Sequence, residues 1–199
     1  LELYPKALLS IGPVIEEGFY YDFDNITIKE SDLPIVEKKM QEIINRNLSI
    51  VKKTASKAEA KKIEKDQPYK LELINELEEG TISFYKQGNF IDLCKGPHVK
   101  KTSDIKAFKL LRIAGAYWKG DSKNKMLTRI YGTAFASQKE LDAYLHRVEE
   151  AEKRDHKKIG QEMELYTHFD LVGKGLPIWL PKGEFIKRKI EEFALEKEH

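Results

Sequence analysis

Three features predict an α+β protein in which helices pack on an antiparallel sheet. Residues 82–94 alternate as a β-hairpin, Asp32 to Asn47 carries apolar residues at helical spacing, and a capping box at Ser137 opens a longer helix. At 199 residues, 41% apolar and 34% charged, with a mean hydropathy of -0.55, the chain has the size and composition of an ordinary globular protein. No apolar run approaches the roughly 20 residues that a bilayer span needs, so no membrane partner is expected. Nothing at the N-terminus resembles a signal peptide. The single cysteine rules out an internal disulfide and suits a reducing compartment, which gives a cytoplasmic location as the expectation.

The first predicted element is a strand at Phe19-Tyr20-Tyr21-Asp22-Phe23, an aromatic, extended run that follows the punctuation of Gly12-Pro13 and Glu17-Gly18. Asp32 to Asn47 follows as an amphipathic helix with an early Pro34 and with Val36, Met40, Ile43 and Ile44 on one face. Ser56-Lys57-Ala58-Glu59 has the form of a capping box and announces a short helix. Ile82 to Lys86 and Asn89 to Cys94 read as strands turned by Gln87-Gly88, which puts Asp92 and Cys94 on the same face of the second strand. Met126 to Phe135 reads as another strand. Ser137-Gln138-Lys139-Glu140 then starts a helix of about six turns, with Leu141, Tyr144, Leu145, Val148, Ala151 and Ile159 as a narrow apolar stripe on a densely charged connector. After Gly173-Lys174-Gly175-Leu176-Pro177 and Leu180-Pro181-Lys182-Gly183, a final amphipathic helix carries Phe185, Ile186, Ile190, Phe193 and Leu195. It meets no stop signal, and the chain reads as truncated there.

The most informative stretch is Asp92-Leu93-Cys94-Lys95-Gly96-Pro97-His98, which sets the only cysteine ahead of a histidine across a Gly-Pro turn. Such a pair can hold a small ligand with two polar groups, or supply half of a tetrahedral zinc shell, which takes four ligands or three plus water. The bland alternative is an apolar thiol beside a turn and a surface imidazole. His146, His156, His168 and His199 are scattered and are expected to be solvated rather than metal ligands.

Residues 95–129 hold ten basic side chains against Asp104 and Asp121, with Tyr117 and Trp118 set among them. Cations that displace condensed counterions, and aromatic faces that stack on unpaired bases, are what a surface for RNA needs. A solvated basic face offset by acid elsewhere is the other reading, and salt dependence separates the two. There is no Walker-type loop, no Gly-x-Gly-x-x-Gly, no Gly-x-Ser-x-Gly elbow and no His-Glu-x-x-His.

Gly12-Pro13-Val14-Ile15-Glu16-Glu17-Gly18-Phe19-Tyr20-Tyr21-Asp22, Asp92 to His98, and Ala114-Gly115-Ala116-Tyr117-Trp118-Lys119-Gly120-Asp121-Ser122 resemble the bacterial threonyl-tRNA synthetase family, in the same order along the chain. The first two blocks lie in the editing domain that this family shares in outline with alanyl-tRNA synthetases. Gly132-Thr133-Ala134-Phe135, Arg154-Asp155-His156-Lys157-Lys158 and Leu176-Pro177-Ile178-Trp179-Leu180-Pro181-Lys182-Gly183 are similar to the region leading into the synthetic domain. The resemblance implies an editing domain at 1–136, a linker helix at 137–165, and the start of a class II catalytic domain with its motif 1 helix at 166–199. Motifs 2 and 3 do not occur in the sequence, so the ATP and zinc of the synthetic domain are not expected to bind here.

The activity implied is hydrolysis of serine wrongly esterified to threonine tRNA. Serine lacks one methyl of threonine, a difference worth only about 1–3 kcal/mol to a synthetic pocket, and a second site that admits the smaller product is the remedy. The matching positions are Lys70, Asp92, Cys94 and His98: Lys70 for the oxyanion or the attacking water, Asp92 for the seryl amine or hydroxyl, His98 for water, and Cys94 as a pocket wall rather than a nucleophile. Lys95, Arg112, Tyr117, Trp118, Lys119 and Arg129 are the expected contacts to the tRNA acceptor end. A His-x-x-x-His pair is implied just upstream of Leu1, since Leu1-Glu2-Leu3-Tyr4-Pro5 matches the end of that helix; Cys94 and His98 alone are an incomplete zinc site, and no cofactor is expected to be required. A homodimer is implied for the full-length enzyme. The alternatives are an RNA-binding module without catalysis and an alanyl-type editing protein.

Overall fold

In the computed structural model the described residues are 1–169, 171–173 and 175–198; Lys174 of the glycine-flanked turn and His199 lie outside them. The chain divides into two units, Leu1–Leu141 and Asp142–His199. Both are built of helices and antiparallel strands, as an α+β chain should be.

The larger sheet of the first unit comprises β1 (Leu8–Leu9), β2 (Val14–Ile15), β3 (Gly18–Asp24), β7 (Ala107–Tyr117) and β8 (Met126–Phe135), in the order β1-β3-β8-β7 with β2 on β3. Phe19, Phe23, Leu110, Ile113 and Ile130 pack with Leu33, Val36 and Met40 of α1 (Leu33–Asn45), whose Pro34 lies in the first turn. Alternation along β3 turns Tyr20 and Asp22 to the other face, where Arg129 lies opposite Asp22 in register.

The smaller sheet, β4-β5-β6, contains β4 (Ile50–Thr54), β5 (Ser83–Gln87) and β6 (Phe90–Leu93). Gly88, with a φ of 58°, and Asn89 form the two-residue connection of the β5–β6 hairpin, one residue later than the sequence suggests. Two helices accompany it. The helix α2 (Lys57–Ile63) starts at the predicted capping box: Ser56 accepts from Glu59 N, and the Glu59 carboxylate accepts from Ser56 N at 2.9 Å. The helix α3 (Pro68–Glu76) has Pro68 in its first turn. Ala60, Ile74, Ile82 and Phe84 are fully buried between these pieces. Phe84→Ala should therefore cost about 3–5 kcal/mol, read as a lower urea midpoint at unchanged slope; a loss below about 1 kcal/mol would contradict this packing.

The predicted six-turn connector, which begins in the first unit and runs on into the second, is two helices. α4 (Gln138–Lys153) ends before Asp155, whose side chain caps α5 (His156–Glu162) by accepting from Lys157 N at 2.8 Å. An aspartate capping a new first turn outcompetes continuation of the apolar stripe. β9 (Tyr166–Thr167) pairs with β10 (Ile178–Trp179), and α6 (Pro181–Glu198) follows. The apolar positions Phe185, Ile190, Phe193 and Leu195 of α6 are all more than half exposed. No helix of the described residues is long and apolar enough to cross a membrane.

Candidate active site

The first unit contains a cleft of about 370 Å³ whose wall includes Tyr21, Lys70, Tyr85, Asp92, Cys94, Lys95 and His98. The structure thus brings together all four side chains singled out for the editing chemistry. Asp92 and Cys94 arrive from the end of β6, two residues apart, and His98 folds back across the Gly-Pro turn. Gly96 has a φ of 74° and lies against the Tyr85 hydroxyl, where a Cβ would collide with the ring.

Lys70 is 3% exposed, not a solvated helix lysine. Its Nζ stands 2.7 Å from Asp92 Oδ1 and 3.4 Å from the Leu93 carbonyl oxygen. Asp92 is paired rather than capping a turn: its Oδ2 accepts a 2.7 Å hydrogen bond from the Tyr21 hydroxyl, and Oδ1 meets the ammonium as an ion pair without hydrogen-bond alignment. Gly12 holds the Tyr21 ring from the other side, so closely that a Cβ would overlap it. Burial, then the neighbouring Asp92 charge, pushes the Tyr21 phenol far above its usual range, and it remains a donor at every relevant pH.

Cys94 Sγ lies 3.0 Å from His98 Nε2, and Gly96 N donates to the same sulfur at 3.4 Å. The His98 ring stands edge-on to Tyr85, with centroids 4.3 Å apart. Burial lowers the His98 pKa, with Asp92 opposing; the imidazole is therefore mainly neutral at pH 7, the form that can accept a proton.

Two of these neighbours, Tyr21 and Glu64, have no role in the sequence reading. Alternation puts Tyr21 on the strand face of Phe19 and Phe23, which reads as core and gives no hint of its bond to Asp92. Glu64 carries no local signal: it becomes a neighbour only when α2 packs against β6, where its Oε1 accepts from Leu93 N at 3.2 Å. Burial, with the charge of Asp92 adding to it, raises its pKa to about 7.

The expected RNA contacts are divided by the fold. Lys95 is exposed on the cleft wall, Tyr117 is 40% exposed, and the exposed Arg112 lays its guanidinium 3.8 Å from the Tyr131 ring centroid. Trp118 must be corrected: it is 5% exposed, edge-on to Tyr69, with Nε1 donating to Glu72 at 3.0 Å, so its face is not open for stacking. Lys119 is bound to Glu72 and Glu76, and Arg129 makes a bidentate pair with the buried Asp22 at 2.7 and 2.8 Å. These two cations are occupied by internal carboxylates: Arg129 meets Asp22 in register across the β3–β8 pair, and Lys119, in the turn just after β7, faces Glu72 and Glu76 of α3. The net positive count of the segment therefore overstates the free charge.

Cys94 and His98 stand as two of the four ligands a tetrahedral zinc shell would take. Among the described residues, no group of three or more His, Cys, Asp or Glu side chains is placed to hold a metal, and Asp92 is committed to Lys70 and Tyr21. After dialysis against a chelator, the chain should retain well below one zinc per molecule; stoichiometric zinc would contradict that.

Residues 82–131 match the family described as "Threonyl and Alanyl tRNA synthetase second additional domain", which includes the Asp92–His98 turn. The chain is 53% identical over 198 residues to a threonine–tRNA ligase of Staphylococcus carnosus, covering 98% of this chain and 31% of that protein. It is 53% identical over 197 residues to that of Porphyromonas gingivalis (96% and 30%), and 52% over 200 residues to that of Dehalococcoides mccartyi (100% and 34%). The chain spans about a third of the length of these curated relatives. Its resemblance to bacterial threonine–tRNA ligases thus extends over nearly the whole sequence.

Proposed function

We propose that this chain is the editing segment of a threonine–tRNA ligase and that its cleft hydrolyses the ester of serine on threonine tRNA. The observation that carries this is the convergence of Lys70, Asp92, Cys94 and His98 on one cleft large enough for an aminoacylated terminal nucleotide. Within that reading, residues 1–136 form the editing domain, 137–165 a linker, and 166–199 the beginning of the class II catalytic domain, whose exposed apolar α6 face suits a homodimer in the full-length enzyme. The acceptor end of the tRNA is the partner, met by Lys95 on the cleft wall and by Arg112 as a further exposed cation, and a cytoplasmic location accords with one free thiol. An alanyl-type protein is disfavoured by the threonine–tRNA ligase likeness that continues through Trp179–Gly183.

Chemically, water adds to the ester carbonyl, negative charge develops on the carbonyl oxygen, and the ribose oxygen departs with a proton. Asp92 accepts from the seryl ammonium or hydroxyl, and the buried Lys70 ammonium supports the oxyanion. His98 takes the proton from water and returns one to the ribose oxygen. With Nε2 turned to the Cys94 sulfur, water is activated through Nδ1 or after the thiol swings aside.

The 3.0 Å thiol–imidazole contact favours one alternative, in which His98 takes the Cys94 proton, the sulfur attacks the ester carbonyl, the ribose oxygen leaves with that proton, and water then hydrolyses the seryl thioester. Acid quenching of seryl-tRNA mixed with the full-length protein separates these readings. The hydrolytic account expects free serine above the spontaneous rate and no protein-bound serine, whereas a binding module without catalysis gives the spontaneous rate alone.

A further inference from the structure

β6 is the outer strand of its sheet, and its last residue is held from outside by side chains rather than by another strand. At Leu93, the N–H donates to Glu64 and the carbonyl accepts from Lys70, while the next residue bonds inward, Cys94 N to Ser83 O at 3.0 Å. Leu93 links Asp92 to Cys94. The orientation of both polar side chains therefore depends on a clamp made by Glu64 and Lys70 on the peptide groups between them.

Glu64 is 4% exposed. Among the described residues its carboxyl has one hydrogen bond, from Leu93, and no ion pair. The charged or titratable groups that act on it are Asp92 on β6 and Lys70 on α3, and it acts in turn on Tyr21 of β3. Lys70 is thus one ammonium near two carboxyl groups, with its 2.7 Å contact given to Asp92.

We propose that Glu64 is a positioning residue of the deacylation site, fixing the β6 end through the Leu93 amide and, by its charge, deciding whether Lys70 serves Asp92 alone. This rests on the function proposed above. While Glu64 is protonated, its carbonyl oxygen still accepts from Leu93 and the ammonium faces one carboxylate. Once it ionises, a second buried negative charge competes for that ammonium, the Lys70–Asp92 arm loosens, and deacylation slows. The raised pKa places this change near neutrality rather than in acid, and apart from the limb of His98, which lies below 6.5. The same sign holds for folding: a carboxyl that binds its proton more tightly folded than unfolded costs stability as pH rises from about 4.5 to about 7.

The test is the pH profile of seryl-tRNA deacylation by the full-length protein, corrected for spontaneous hydrolysis, beside Glu64→Gln and Glu64→Ala. The wild type should show a falling limb near pH 7 that is absent in Glu64→Gln, which keeps the acceptor for Leu93 without the charge. Glu64→Ala should lose at least tenfold in rate across the range. Carboxyl carbon NMR of the chain should find Glu64 titrating near 7. A limb that persists at the same pH in Glu64→Gln, or a Glu64 midpoint near its ordinary 4.5, overturns the inference while leaving deacylation intact. A wild type that does not deacylate seryl-tRNA removes the underlying function as well, and the wild-type trace alone reveals it.

Discussion

Replacing Lys70 with methionine should destabilise the first unit by about 3–5 kcal/mol and slow ester hydrolysis by about 10²–10³. The stability loss follows from burial: the side chains of Lys70 and Asp92 are 3% and 13% exposed, and removing the ammonium leaves Asp92 buried beside Glu64 with no counter-charge. The loss should largely vanish when Asp92 is neutralised at the same time, because deleting both members of a buried pair costs far less than deleting one. Urea denaturation of Lys70→Met, Asp92→Asn and the double variant separates these terms. The catalytic effect has a different origin. Without a cation at the carbonyl oxygen, the rate should fall by about 10²–10³, the usual worth of one oxyanion donor. Near-additive stability losses, or a Lys70→Met protein that deacylates normally, would contradict the assigned role.

His98→Ala should have the opposite profile. The ring lies on the exposed side of the cleft, packed edge-on to Tyr85 and touching one sulfur, so the fold should lose little. Deacylation should drop by about 10²–10⁴, the range for removing a general acid–base group. In the wild type, activity should fall as pH drops through a value below 6.5, where the neutral imidazole is lost, and that limb should be absent in His98→Ala. A variant within about threefold of wild type would move proton transfer elsewhere, because general acid–base catalysis is worth far more than that.

Much of this site was legible in the sequence because it depends on local patterns. Alternation along residues 89–94 put Asp92 and Cys94 on one face, and the Gly-Pro turn returned His98 towards them. The capping boxes at Ser56 and Ser137 marked helix starts because a side-chain oxygen and a backbone N–H meet within one turn; Glu140 N does donate to Ser137 Oγ. What the sequence hid was packing between distant segments. Lys70 looks like any helix lysine until α3 delivers it beside Asp92, and Glu64 and Tyr21 likewise acquire a role only in the assembled unit. Trp118 misled for the same reason: a basic neighbourhood suggests stacking on RNA, yet Glu72 and Tyr69 claim the indole. The strand at 107–117 was obscured because its cations resemble a binding surface more than half of a long β-ladder. The break before Asp155 shows a single capping aspartate overriding a weak apolar stripe.

A cleft at Asp92, Cys94 and His98 that receives the acylated tip of a tRNA should bind a seryl-adenosine that cannot be hydrolysed. Adenosine carrying serine through an amide in place of the ester, titrated into the isotopically labelled chain, should shift the resonances of Asp92, Cys94, His98 and Lys70 with one saturable affinity, and adenosine alone should do so more weakly. Saturable shifts confined to other residues, or none at concentrations where the ligand is fully soluble, would contradict it.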